Sequence, residues 1–189
     1  MDFGKLIERV KNILLTPKTE WPKIAAESDT VAGLYTGYAL ILAAIPALGM
    51  LIGTAGIGFP IAIVTYVITL VVIFIASLIV NALAPTFGGQ KDPVAALKVV
   101  VYSSTPGWVA GIFNIIPFVG PLIAFIAALY GIYVLYLGLS PVMKNPEEKS
   151  IGYTALIVVC YIVLMMVFMG VVMSLFFGAM MGGAMLMGR

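Results

Sequence analysis

The sequence predicts an all-α, polytopic membrane protein: five transmembrane helices preceded by amphipathic cytoplasmic helices, N-terminus in, C-terminus out. Three observations predict it. Of 189 residues, 62% are hydrophobic and 10% charged, with a mean hydropathy of +1.16, whereas a soluble domain carries roughly 25% charge. The charges are also confined, with none in 31–90, 99–143 or 150–188, and runs of that length belong in hydrocarbon. Finally, breakers divide the apolar runs into lengths that suit a bilayer, and the basic residues then collect on one side.

From Asp2 to Leu15 the chain has helical periodicity. Phe3, Leu6, Ile7, Val10, Ile13 and Leu14 share one face, opposite Lys5, Glu8, Arg9 and Asn12. Thr16-Pro17 reads as an N-cap with proline at the first helical position. A second amphipathic piece carries Trp21, Ile24 and Ala25 with Lys18, Lys23 and Glu27. These helices fit either of two places: the membrane surface, with Trp21 at headgroup depth, or a cap packed on the ends of the bundle. A cleaved signal peptide is disfavoured, because the first apolar run starts about 30 residues in and is far longer than an h-region.

The run 31–90 holds about 60 residues, while one span needs about 20. It therefore contains two spans, Val31–Ile52 and Ile61–Leu83, divided by the small residues of Gly53–Pro60. Asp92-Pro93 caps the third, Ala95–Ile116, which Ser103-Ser104-Thr105-Pro106-Gly107 interrupts. Pro117, Gly120 and Pro121 make the next turn, and Leu122–Leu139 is span four. Pro141 opens a loop with Lys144, Glu147, Glu148 and Lys149, and Ile151–Phe177 is span five. The expected organisation is an interfacial segment 1–30, a transmembrane domain 31–178 and an outer Gly/Met tail 179–189. The inner side then gathers Lys5, Arg9, Lys11, Lys18, Lys23, Lys91, Lys98, Lys144 and Lys149, leaving Arg189 outside.

Composition also excludes chemistry. There is no histidine, one cysteine (Cys160), and no Asp or Glu within any expected span. Neither a nucleophile–base pair nor a buried carboxylate pair can form at membrane depth, nor an intramembrane ion-coupling carboxylate. No enzyme activity, cofactor or metal is expected, and a net charge of +2 gives no footprint for nucleic acid. The Met-rich end lacks the His/Cys partners of a copper site and reads as packing material. A short Ile-Pro-x-x-Gly-x-Leu-Ile echo (45–52 and 116–123) is too brief to argue for inverted repeats.

Two groups of residues stand out. Pro106 within span three breaks the backbone ladder, and Ser103, Ser104 and Thr105, following Tyr102, offer hydroxyls to the freed groups. Tyr102, Ser103, Ser104, Thr105 and Pro106 thus form a candidate kink that is a partner site, a pore wall with Asn81 and Asn114, or only a satisfied bend. Arg9, Trp21, Lys23, Lys91, Lys98 and Lys144 form a candidate cytoplasmic surface for a protein or lipid partner. Tyr130, Tyr133 and Tyr136 read mainly as packing. Gly33/Gly37, Gly49/Gly53, Gly107/Gly111 and Gly178/Gly182 have the spacing of close helix contacts, within the bundle or in a homo-oligomer.

Three stretches resemble the Yip family (Ypt/Rab-interacting proteins), in particular its short prokaryotic members. They are Pro17 to Glu27 (PKTEWPKIAAE), Ala96-Leu97-Lys98-Val99 leading to Tyr102-Ser103-Ser104-Thr105-Pro106, and Leu137-Gly138-Leu139-Ser140 to Lys149. The resemblance implies five spans, N-in and C-out, and residence in the prokaryotic inner membrane. Eukaryotic members act in vesicle traffic and bind prenylated small GTPases. They carry an Asp-Leu-Tyr-Gly-Pro stretch before the first span, where this chain has Ser28-Asp29-Thr30-Val31, a departure that argues against GTPase binding. The expected function is a non-enzymatic membrane-organising protein that binds a protein or lipid through its cytoplasmic face. The alternative is an uncoupled channel or lipid-handling protein centred on the kink.

Overall fold

The fold is taken from a computed structural model that describes residues 3–116 and 118–187, with side chains through residue 170 and at Met173 and Ser174. Among these residues there are helices and turns and no strand. Helices α1 (Phe3–Leu15) and α2 (Pro17–Ala26) form where the periodicity placed them. Thr16 does not cap α2 with its side chain. Its hydroxyl turns back to Asn12 O at 3.2 Å, and its carbonyl accepts the amides of Thr19 and Glu20.

Helix α3 (Val31–Gly53) starts on a working cap, the Thr30 hydroxyl accepting from Gly33 N at 3.0 Å. It widens into a π turn at Tyr35–Ala39 and contains Pro46. A turn with Ala55 and Gly56 at positive φ leads to α4 (Phe59–Leu83), extended by a 3₁₀ turn, Ala84–Phe87. The third apolar segment is broken into α5 (Pro93–Ser103), α6 (Thr105–Ala110) and a 3₁₀ turn, Gly111–Ile115. Pro106 has no amide proton for the ladder. The neighbouring hydroxyls go to Val100 O, Ser103 Oγ at 3.1 Å and Ser104 Oγ at 2.8 Å.

Helix α7 (Val119–Met143) contains Pro141 in its last turn, so this proline does not open the loop as expected; the helix stops at Lys144, which takes a left-handed conformation. Helix α8 (Glu147–Met187) runs without a break into the Gly/Met-rich tail. Pro117, Gly188 and Arg189, part of the expected fourth turn and outer end, lie outside the described residues, as do the side chains of Gly178 and Gly182.

Among the described residues four helices are long and apolar enough to cross a membrane: Val31–Gly53, Phe59–Phe87, Val119–Met143 and Glu147–Gly170. Their outward faces carry exposed Phe74, Leu78, Leu122, Phe125, Ile162 and Val163, surfaces that suit lipid and not water. Two ends of the bundle are defined by contacts. At one, Gln90 N donates to Met143 O at 2.8 Å, and Lys98 meets the α2–α3 link. At the other, a Cβ on Gly53 would fall 2.5 Å from Asn114 O, and one on Gly49 2.5 Å from Gly111 O. Gly49, Gly53 and Gly111 thus let α3 and the third segment touch backbone to backbone, within one chain. The broken segment therefore begins beside the 143–149 loop and ends beside the 53–58 turn.

The core is concentrated toward the first end. Leu6, Ile13, Trp21 and Ile24 of the N-terminal helices join Leu34, Tyr38, Val80, Leu97, Tyr102, Val134, Leu139 and Tyr153 in one buried cluster. The N-terminal helices are built into the bundle. Of the two expected placements the packed cap is the one seen: Trp21, which the other would put at headgroup depth, is 1% exposed, and its Nε1 donates to Val134 O at 3.0 Å across 113 residues of sequence.

Candidate functional site

Asp92 starts the site. Its carboxylate accepts from Val94 N (2.9 Å) and Ala95 N (3.0 Å), and Pro93 supplies the fixed φ of a first turn. The helix so anchored puts Lys98 and Tyr102 four residues apart, on one face. That face meets α1, α2 and α3, and Lys98 on it and Glu20 of α2 are the charged residues among the buried ones described. Lys98 is 5% exposed. Its ammonium donates to Ile24 O at 3.0 Å and to Glu27 O, and lies 3.2 Å from Asp29 Oδ2. A C-terminal helix end needs donors for its last carbonyls, and Lys98 supplies them to α2 from a different helix.

Beside it stands a second ion cluster. Arg9 donates to Glu20 Oε1 at 2.7 Å and to Glu27. Glu20, 3% exposed, also accepts from Asn12 Nδ2 (3.2 Å) and Lys23 Nζ (3.0 Å). Burial alone would lower the Arg9 pKa, but Glu27 and Glu20 outweigh it and raise it above the ordinary value. The guanidinium sits 5.8 Å from the Tyr102 ring centre, within cation–π range. Tyr102 packs edge-on to Trp21 (6.3 Å) and Tyr38 (4.8 Å), and Tyr38 bonds Thr105 Oγ1 at 2.9 Å. The Tyr102 hydroxyl itself has no hydrogen-bond partner among the described residues. The arrangement holds the N-terminal helices against the third segment; nothing in it offers a nucleophile beside a base.

The two groups singled out by sequence are each divided by the structure. Of the kink residues, Tyr102 and Thr105 face this clasp. Ser103 and Ser104 face the opposite way, into a cavity of about 330 Å³ between α4, the α5–α6 break, α7 and α8. Pro106 is buried. Asn81 and Asn114, expected as further pore lining, are not brought to this cavity; Asn114 reaches Pro46 O at the far end of the bundle. Of the surface residues, Lys23, Lys91 and Lys144 are exposed. Trp21 and Lys98 are buried and Arg9 is tied to Glu20 and Glu27, because packing a cap on the bundle consumes the groups that face it.

Tyr130 donates to Leu14 O at 2.8 Å, which is packing between α7 and α1. Sequence reasoning missed Tyr38, Glu20 and Glu27 as members of the clasp. One signal was available: Lys98, a lone charge at the start of a long apolar run, needed a partner.

The family model for the Yip1 domain matches residues 11–169. Among curated proteins, Inner membrane protein YohC of Escherichia coli strain K12 is 23% identical over 157 residues, covering 74% of this chain and 80% of that protein. YohC of Escherichia coli O6:H1 matches to the same extent. No solved structure matches. The Yip1 match takes in the clasp apart from Arg9, the broken third segment and most of the apolar helices, and the chain belongs to the Yip1-domain family of membrane proteins.

Proposed function

We propose that the chain is a non-enzymatic, five-span protein of a prokaryotic inner membrane, N-in and C-out, that organises membrane by binding a protein or anionic lipid on its cytoplasmic face. The relative's name supports the inner membrane. Five spans rest on the third segment: its 23 residues run from Pro93, near the lysine-rich loops, to Ile115, beside the 53–58 turn. At 1.5 Å or more per residue it is roughly 35 Å long, enough for a hydrocarbon core of about 30 Å despite its break. The basic residues other than Arg189 then share one side.

The observation that carries the partner reading is the outward side of α1. Phe3 is 68% and Ile7 53% exposed, next to exposed Lys5 and Lys11. An apolar stripe bordered by lysines on a helix fixed to a bundle end suits the headgroup boundary of an anionic leaflet. Lys23, Lys91 and Lys144 extend the cationic surface. Removing residues 1–30 would unfold the core, so the test uses surface changes only. Ile7→Ser with Lys5→Gln and Lys11→Gln, in detergent-purified protein, is predicted to lose binding to anionic vesicles or to a copurifying protein while melting as before. Unchanged binding would sink this reading.

A further inference from the structure

The cavity at the kink carries a separate inference, independent of the cytoplasmic face. It lies half-way along α4 and α7, walled by Ile73 and Ala76, by Ser103, Ser104, Gly107 and Trp108, and by Gly131 and Leu135. Small residues keep it open. A Cβ built on Gly107 meets no atom within 4 Å, in contrast to Gly111 one turn on, where it would fall 2.4 Å from Pro46. Gly107 faces space and is not there for helix contact. The exposed members of the wall are Ala128 on α7 and Tyr161 on α8, so the cavity opens between these two helices. The outward residues flanking that mouth are Phe125, Leu129, Val159 and Ile162, a lipid-facing surface.

The occupant follows from the lining. At about 330 Å³ the cavity is in the range of ligand sites, and a void of that size left empty forfeits contacts on every wall. Water needs two to four polar partners to reside there. The hydroxyls of Thr69, Ser103 and Ser104 already donate to Thr65 O, Val100 O and Val100 O, and apart from the Tyr161 hydroxyl at the mouth and the Trp108 indole the other side chains of the wall are apolar. We propose that the cavity is a binding site for one acyl chain of a bilayer lipid, which enters between α7 and α8 and rests against Gly107 and Trp108 at the break in the third segment.

The test reconstitutes the full chain in liposomes with a phospholipid carrying a diazirine in mid-chain, and maps adducts by peptide mass spectrometry after illumination. Adducts are expected on Gly107–Trp108 and Gly131–Leu135 as well as on outward residues such as Phe125. Gly107→Leu, which has room for its side chain, is expected to lose the cavity adducts and keep the outward ones. Ala128→Leu, at the exposed mouth, is expected to do the same and serves if Gly107→Leu fails to fold. Adducts confined to outward residues in the wild type, or cavity adducts unchanged in both variants, would overturn the proposal. So would labelling of Ser104→Cys by a water-soluble thiol reagent as fast as an exposed cysteine, since the cavity would then hold water.

Discussion

Replacing Lys98 by methionine keeps the side chain's apolar stem and removes its charge, which isolates what the ammonium does. Two carbonyls lose their donor, Ile24 O and Glu27 O, and the Asp29 carboxylate loses its ion pair. A hydrogen bond involving a charged group contributes about 1.5–3 kcal/mol. The Asp29 side chain is 22% exposed, so water recovers much of its share, and the substitution also removes the desolvation cost of Lys98 itself. The net loss should be about 2–3 kcal/mol, which at the upper end raises the population with α2 detached on the order of a hundredfold. Limited proteolysis at Ser28–Thr30 in nanodiscs reads that population when opening is fast relative to cleavage, and thermal unfolding reads the total. Asp29→Asn should cost less than half as much, because the two carbonyls keep their donor. The reasoning fails if Lys98→Met is cut no faster than wild type and melts alike. It also fails if Asp29→Asn is the more damaging change, since the ion pair would then outweigh the capping of α2.

Other substitutions test neighbouring contacts. In Gly138→Ala the new Cβ would lie 2.5 Å from Trp21 Cζ2, so the ring must shift at a cost of about 1–3 kcal/mol. Adding Trp21→Phe should relieve part of that cost, a sub-additive pair measurable by a double-mutant cycle. Tyr102→Phe removes a buried hydroxyl that has no partner among the described residues, and thermal unfolding should show no loss or a gain of up to about 1 kcal/mol. Asp92→Ala should cost about 1 kcal/mol by loss of two capping bonds, whereas Asp92→Asn should melt near wild type.

The apolar helices were legible because charge-free runs, Gly/Pro breaks and the Asp92-Pro93 cap are local signals. The resemblance to the Yip family was readable from short motifs around Trp21, Lys98 and Pro106, and the family match covers all three. Less legible was what those residues touch. Amphipathic periodicity separates an apolar face from a polar one, but it cannot tell whether lipid or another helix covers the apolar face. Trp21 illustrates this, its partner Val134 being 113 residues away. Lys98 and Arg9 were counted as surface charges because charge usually stays wet; here both are held by carboxylates and carbonyls of the N-terminal helices. The break at Pro106 was readable, yet the division of Tyr102 and Thr105 from Ser103 and Ser104 depends on which helices pack on each side. Pro141 failed as a loop signal because, so near the end of α7, its lost hydrogen bond ends a helix that stops two residues later.

Cysteine accessibility across the membrane is the most direct test of the five-span arrangement with its lysines on one side. In a Cys160→Ala background, Lys23→Cys, Lys91→Cys, Lys144→Cys, Ile57→Cys and Phe118→Cys all place the thiol at exposed positions. With an impermeant maleimide added to intact cells, Ile57→Cys and Phe118→Cys should label. The three lysine positions should label only after the membrane is opened. If Phe118→Cys is protected while Lys144→Cys labels from outside, the broken third segment does not cross, and the proposed cytoplasmic face is divided between the two sides of the membrane.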